Sequence, residues 1–347
     1  MIAYSLKVVE VRKETFDTVT ICFKQPGLKK IKYLPGQYLT LIFRINGRRY
    51  IRPYSFSSAP LIDQQLEITA KRVPNGIVSN HICDKVAVDD IIEVMEPMGD
   101  FILQPHLVPL NRHVVLWGVG SGITPLFSIL KHILYQLPDD KVTLVYGNRN
   151  FDSVIFLNKI KQLQAEFAGR FKLWQFHTQL TVDEANPTLV QGRIDPSKVV
   201  AVMNEEGELS NTLHFICGPA GLKESVKLAL SAMNIADEHI FTEDFELVKD
   251  PKDFEDIVTR DVNIDFAGVI SGVEVVKGKS ILEAGLDAFI DLPYSCQTGN
   301  CTVCKGKIIS GEVKMIGVKN LPADLGPDEC LLCCSHPVSE NVSLLVQ

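Results

Sequence analysis

No apolar run in this 347-residue chain approaches the roughly 18 residues needed to cross a bilayer. The opening segment, Met1 to Glu10, alternates like a strand and lacks the basic start, apolar block and small-residue cleavage site of a secretory signal. A soluble cytoplasmic protein is expected, with no membrane partner. Basic residues are in deficit: 35 Lys and Arg stand against 42 Asp and Glu, a net charge of −7. Without a basic stripe to neutralise phosphates, a nucleic-acid groove is excluded. There is no internal repeat and no low-complexity tract. The eight histidines are scattered, and neither a 2-His-1-carboxylate set nor the Glu-x-x-His pairs of di-iron bundles occur, so the chain holds no iron site for oxygen chemistry.

Cysteine, by contrast, is plentiful, with nine residues. A chain of this length can build its own cores and, without a secretion signal, belongs in a reducing compartment, so the cysteines read as ligands rather than as a disulfide framework. Cys22 and Cys83 lie in apolar surroundings and are read as small buried hydrophobes. The informative set is Cys296-Gln-Thr-Gly-Asn-Cys301-Thr-Val-Cys304, followed near the C-terminus by Cys330, Cys333 and Cys334. Three thiolates from one loop and a fourth from a distant segment is the spacing of a plant-type 2Fe–2S cluster. Gly299 allows the loop to approach the cluster closely. Zinc sites usually combine two short Cys pairs, and one is present here. By spacing alone, any of the last three cysteines serves as the fourth ligand. Such a cluster passes one electron at a time, which raises the question of where the electrons originate.

The patterning divides the chain. Residues 1–106 alternate with period two in Thr18–Phe23, Gln37–Phe43, Leu66–Arg72 and Ile91–Val94, with Pro35-Gly36, Asn46-Gly47 and Asn75-Gly76 as turns, which predicts an antiparallel β-barrel. Residues 107–245 carry continuous apolar runs, Val114–Val119 and Val142–Tyr146, each followed by helical spacing, as in an α/β domain with a parallel sheet covered on both faces. Residues 246–258 are charged, contain Pro251 and read as an exposed linker. Residues 259–347 return to strands around one short helix near Ser280–Gly285, an α+β module that holds the cysteine loop. This last module has more acidic than basic side chains.

Two further constellations bear on cofactors. In the first module Arg52-Pro53-Tyr54-Ser55 follows a strand-like run, and Gly76-Ile77-Val78-Ser79 opens a helix. A guanidinium suits a pyrophosphate, a tyrosine ring can lie on an isoalloxazine, and a serine hydroxyl can bond near flavin N5. The helix N-terminus offers N–H groups to phosphate. In the second module Gly118-Val-Gly120-Ser-Gly122-Ile-Thr124-Pro125 links a strand to a helix, the context in which a glycine-rich turn binds a dinucleotide. Cys217-Gly218-Pro219 repeats that strand-to-helix context, and Arg149 ends the second strand where an adenosine ribose is read. Arg149 can pair with a 2′-phosphate, yet an arginine there also suits NADH.

Together these motifs resemble the ferredoxin–NADP reductase family, with its RxYS, GxxS, glycine-loop and CGP signatures, joined to a C-terminal plant-type ferredoxin domain of β-grasp fold. Pro35–Tyr38 and Gly99–Phe101 sit where that family has barrel turns. The resemblance implies FAD bound by Arg52, Pro53, Tyr54, Ser55 and Gly76–Ser79. It implies NADPH or NADH at Gly118, Gly120, Gly122, Thr124, Pro125, Arg149 and Cys217–Pro219, with Thr124 toward the nicotinamide and Cys217 beside the reacting rings. It selects Cys333 as the fourth metal ligand, and it implies that Glu243 and Phe245 return to the flavin. Ser55, Cys217 and Glu243 are then the residues nearest the chemistry. The module order looks most like oxygenase reductases, nearest to the reductase subunits of the phenylacetyl-CoA epoxidase group. The implied activity is NAD(P)H-dependent electron transfer through FAD and the cluster to a separate protein, an oxygenase component. A general NAD(P)H diaphorase without a dedicated partner and a non-catalytic redox-sensing module remain open.

Overall fold

The alternating segments of the first module form strands β1 (Ala3–Thr15), β2 (Thr18–Phe23), β3 (Tyr38–Ile45), β4 (Arg48–Ser55), β5 (Leu66–Lys71) and β6 (Ile91–Met95), with helix α1 (Ile77–Lys85) between the last two. The computed structural model describes residues 3–27, 30–103, 111–179, 188–207, 211–318 and 321–346. The strands order β4-β3-β6-β1-β2-β5. An isolated bridge from Phe56, just after β4, to Ile68 of β5 brings the two ends of the sheet together, although β4 itself stays at an edge. β4 contains Pro53, which an edge strand tolerates because its N–H side need not pair. The expected boundary at 106/107 lies outside the described residues.

The second half is a parallel sheet, β10-β9-β8-β7-β11-β12, built from β7 (His113–Val119), β8 (Lys141–Asn148), β9 (Phe171–His177), β10 (Leu189–Gln191), β11 (Thr212–Cys217) and β12 (Ile240–Glu243). Helices α2 (Ile123–Gln136), α3 (Leu157–Glu166), α4 (Pro196–Glu206) and α5 (Ala220–Ala232) cover it. The continuous apolar runs have a direct cause. Val114 and Leu116 of β7 pack with Ile160 and Leu163 of α3 in one core, whereas Val115 and Trp117 pack with Val199 of α4 and Val226 of α5 in the other. Neither face of the strand meets water, so alternation disappears.

The cluster-bearing module forms a five-stranded sheet, β14-β13-β19-β15-β17, and a two-stranded ribbon, β16-β18. Its strands are β13 (Arg260–Phe266), β14 (Val269–Val275), β15 (Lys305–Ser310), β16 (Val313–Met315), β17 (Glu329–Leu331), β18 (Ser335–Pro337) and β19 (Val342–Val346), with one helix, α6 (Ile281–Asp287). A reciprocal capping box starts α6: Glu283 N donates to Ser280 Oγ at 3.2 Å, and Ser280 N donates to Glu283 Oε2 at 2.7 Å.

By internal contacts the chain forms two compact units. The first comprises Met1–Phe43 and Tyr54–Asp244; the second comprises Phe245–Gln347 together with Arg44–Pro53. The rest of the barrel and the parallel sheet thus belong to one unit, tied by Ser128 of α2, whose hydroxyl donates to the Ser58 carbonyl at 2.6 Å, and by Lys131 of α2, paired with Asp63. Residues 246–258, expected as an exposed linker, belong to the second unit. Ile257 is buried and the Phe254 ring stands edge-on to His336.

Candidate functional site

Arg52, Pro53, Tyr54 and Ser55 are consecutive on β4, so alternate side chains face opposite sides of the strand. Arg52 is half-buried, and its Nη1 donates to the Ile51 carbonyl at 2.8 Å; Ser55 is buried. The segment after this strand is tied to the turns before β3 and after β6. Phe56 N donates to the Gln37 carbonyl at 2.9 Å, and Gln37 Nε2 donates to the Gly99 carbonyl at 3.2 Å. Gly76 precedes α1, and no side chain caps that helix, which leaves the N–H groups of its first turn for an anion. Ser79 does not extend toward that anion position. Its hydroxyl accepts from Val73 N at 3.1 Å and fixes the loop entering the helix.

In the glycine turn, Gly118 ends the apolar part of β7, and Gly120 and Gly122 shape the step into α2. Tyr146 of β8 donates its hydroxyl to the Gly120 carbonyl at 2.9 Å, and the turn lies against β5 of the barrel. Gly122 faces the backbone of Cys217: a Cβ there would meet the Cys217 oxygen at 2.1 Å. Pro125 is the third residue of α2, where its missing N–H leaves no intrahelical bond unmade. Thr124, expected to reach the nicotinamide, is buried, and its hydroxyl donates to the Ser121 carbonyl at 3.0 Å. It holds the turn.

Gly118, Cys217 and Glu243 stand side by side at the carboxyl ends of β7, β11 and β12, where open α/β sheets bind ligands. Gly218 and Pro219 lead directly into α5. Burial raises the Cys217 thiol well above its ordinary range, with the Glu243 charge adding to the effect. Cys217 is therefore a neutral thiol that fills space, not a thiolate. Phe245 is exposed and falls in the second unit, whereas Glu243 falls in the first. Arg149 follows β8 with its guanidinium just over half exposed, 3.7 Å from Asp17. A cleft of about 1050 Å³ lined by Arg112, His113, Lys141 and Glu206 lies at the opposite, amino end of the strands, away from these residues.

The cysteines converge. Cys296 Sγ and Cys301 Sγ are 3.0 Å apart, and the thiol of Cys333 is within hydrogen-bonding reach of Cys296 and Cys304. Cys334 instead turns its thiol to the Leu331 carbonyl at 3.3 Å, and Cys330 contacts Ser335, burial pushing its thiol up to about 11. Amides of Thr298 and Cys301 point at Cys296 Sγ, each at 3.4 Å. Gly299 has φ +77°, and a side chain there would strike Val318. Hydrogen bonds with Cys301 and Cys333 draw Cys296 far below the thiol range, while the contact with Cys296 pushes both partners far above theirs. Thiols this close cannot all ionise beside one another without cationic charge, which iron(III) supplies. Among the described residues no three or more His, Cys, Asp or Glu surround a single ion position. A two-iron rhomb asks for two thiolates per iron rather than four at one ion. The donor set fits that cluster.

Known families match along the chain in the same order: an oxidoreductase FAD-binding domain at residues 5–102, an oxidoreductase NAD-binding domain at 116–227, and a 2Fe–2S iron–sulfur cluster binding domain at 267–338. One component of the 1,2-phenylacetyl-CoA epoxidase of Escherichia coli is 31% identical over 98% of this chain and 96% of its own length. The ferredoxin reductase component of 3-ketosteroid-9-alpha-monooxygenase from Rhodococcus rhodochrous is 32% identical over 98% of this chain and 95% of its own. The chain belongs to the flavin and iron–sulfur reductase components of oxygenases. Phthalate dioxygenase reductase shares the reductase's fold, with a TM-score of 0.67 at 23% identity over 99% of this chain and 98% of that structure. The reductase carries FAD-binding, NAD-binding and 2Fe–2S domains and is an NAD(P)H-dependent oxidoreductase. Among its described residues no helix is long and apolar enough to cross a membrane.

Some positioning residues of the reductase carry no local signal in sequence. Ser58, Ser128, Asp63 and Lys131 join the barrel to the parallel-sheet half through contacts 68 or 70 residues apart. Each alone reads as an ordinary loop or helix residue.

Proposed function

We propose that this reductase passes electrons from NAD(P)H through FAD and the cluster at Cys296, Cys301, Cys304 and Cys333 to a separate oxygenase component of the phenylacetyl-CoA epoxidase kind. The observation that carries the electron chain is the convergence of those four thiols in a chain that also holds the flavin and nucleotide motifs. The choice of acceptor rests on similarity to the epoxidase component over the full length. A steroid monooxygenase component is a second reading, favoured by reductases of that system at 32% and 33% identity. The donor and nine unpaired thiols suit the cytoplasm.

Bound FAD would supply the conversion from two-electron to one-electron transfer. Arg52 would place positive charge at its pyrophosphate, with the first turn of α1 offering amides to the same group. Tyr54 would flank the isoalloxazine, and Ser55 would hold a hydrogen bond beside N5. Gly122 and the start of α2 would receive the nicotinamide dinucleotide, and the neutral Cys217 would exclude water beside it. Glu243, next to Cys217, would set the electrostatics at the sheet's end.

The test is anaerobic titration of the purified full chain with NADH and NADPH while the visible spectrum is recorded, followed by assay with the purified epoxidase and steroid oxygenase components. Flavin bleaching followed by cluster bleaching, and turnover with the epoxidase component, is expected. Zinc in place of iron, or flavin reduction that never reaches the cluster, overturns the electron chain. Equal turnover with unrelated acceptors makes the protein a general diaphorase.

A further inference from the structure

Within the second unit, one residue of β4 is held through its N–H and its carbonyl by residues on both sides of a cluster cysteine. Ile51 N donates to the Tyr294 hydroxyl at 3.0 Å, and the Ile51 carbonyl accepts from Gln297 Nε2 at 3.3 Å. Ile51 and Tyr294 are buried. Tyr294 lies two residues before Cys296, and Gln297 follows it directly. The same Ile51 carbonyl accepts from Arg52 Nη1 at 2.8 Å. Two ion pairs flank this contact: Arg48 Nη2 with Asp287 at 2.7 Å and Arg49 Nη1 with Asp291 at 2.8 Å. The pairs are partly exposed and fix alignment more than they add stability.

Gln297 is also strained. Its φ is +58°, a left-handed conformation that glycine adopts freely and glutamine adopts at a cost. Glycine would be the easier residue if the loop needed only its backbone. A glutamine here points to a use for its side chain, and the bond to Ile51 is that use.

We propose that Gln297, seconded by Tyr294, is a positioning residue for electron transfer, clamping the cysteine loop to the peptide that precedes the flavin segment Arg52–Ser55. The proposal rests on the assignment of that segment to FAD and of Cys296 to the cluster. With the cofactors bound, two electrons would enter with the hydride from NAD(P)H and leave one at a time, each reducing one iron(III) of the cluster to iron(II), which the separate acceptor would reoxidise to iron(III) before the next arrives. The bridge from the Ile51 carbonyl through the Gln297 side chain to Cys296 fixes the conformation of the cysteine loop within the second unit.

The experiment compares the full-length, cofactor-loaded protein with Gln297→Gly, Gln297→Glu and Tyr294→Phe. Gln297→Gly relieves the backbone and folds even if a bulkier change does not, while Gln297→Glu keeps the size and loses the donor. Rapid anaerobic mixing with NADPH or NADH should show flavin reduction unchanged in all variants. Cluster reduction, followed by freeze-quench electron paramagnetic resonance, should slow severalfold in both Gln297 variants. Hydrogen exchange at the Ile51 amide should quicken about tenfold in Tyr294→Phe. If the parent reduces its cluster and both Gln297 variants do so at the parent rate, the positioning role is overturned while the electron chain stands. If the parent's flavin is reduced and its cluster is not, the underlying assignment falls and the proposal with it.

Discussion

Gly122 and Cys217 approach so closely that a Cβ on the glycine would stand 2.1 Å from the cysteine's carbonyl oxygen. The φ of Gly122 is −61°, so any residue could adopt its backbone; space alone requires glycine. The obstacle is main chain at the end of a central strand, which cannot swing aside as a flexible side chain would. Gly122→Ala should therefore displace the start of α2 from β11, costing about 1–3 kcal/mol of stability by overpacking. Urea denaturation measures that loss, and nicotinamide titration of the folded variant should show weakened binding. Unchanged stability and affinity would mean that the turn and strand move apart freely.

The cysteine pair at 333 and 334 separates by substitution. Cys333 reaches both Cys296 and Cys304, whereas the Cys334 thiol, beside Cys333, donates to the Leu331 carbonyl. Cys333→Ser should abolish cluster assembly, read as iron and acid-labile sulfide per chain, and leave flavin content and flavin reduction intact. Cys334→Ser should retain the cluster. A full cluster in Cys333→Ser would move the fourth ligand elsewhere.

Most of the organisation is legible in the sequence, and what is not has physical reasons. Alternation found Leu66–Arg72 because one face of β5 is more exposed than the other; it found Thr18–Phe23 although both faces of β2 are largely buried, the alternate face being threonine and cysteine; and continuous apolar runs found β7 and β8 because both faces are covered. The capping pair Ser280 and Glu283 marks the start of α6 within its own four residues. The charged stretch 246–258 is mostly exposed, as its composition suggests, while Ile257 is buried and Phe254 packs on His336, contacts that composition does not reveal. Adjacent cysteines at 333 and 334 are indistinguishable by spacing, since a one-residue step decides which thiol turns inward. Gln297 is hidden because its partner lies 246 residues away and its strain is a property of backbone, not of composition.

Acid should destabilise the nucleotide half through its histidines. His214 is wholly buried on β11, accepts from Trp117 Nε1 at 3.2 Å on Nδ1, and is pushed down to about 3 by burial. A histidine whose folded pKa is depressed binds no proton in the native state between that value and its ordinary 6.5, while the unfolded chain does. Stability contributed this way is present above pH 6.5 and is lost as pH falls toward 3, with a limiting slope of about 1.4 kcal/mol per pH unit. Burial shifts His132 and His177 in the same direction. Urea midpoints between pH 7 and pH 5 should fall for the parent and fall less steeply for His214→Gln. Equal slopes would place the proton uptake elsewhere.

Arg149 offers a test of nucleotide choice that separates charge from fold. Its amide donates to Ser153 Oγ at 3.1 Å, so the backbone at the end of β8 is fixed without the guanidinium. The nearest carboxylate, Asp17, already accepts from Lys71 at 3.0 Å and from the hydroxyls of Thr15 and Thr18. The guanidinium also lies over the Phe16 ring, 5.7 Å from its centroid, which orients it while leaving its edge donors to solvent. A 2′-phosphate at the ribose would meet those donors, and a charge-assisted bond of that kind is worth about 1.5–3 kcal/mol. Arg149→Ala should therefore raise KM for NADPH by about tenfold or more, leave kcat unchanged, and alter KM for NADH little, the pattern of lost uniform binding. The NADPH effect should shrink as salt rises, because an exposed charge pair is screened. Equal effects on both donors would show that Arg149 supports the strand end rather than reading the ribose, and would favour NADH as the natural donor.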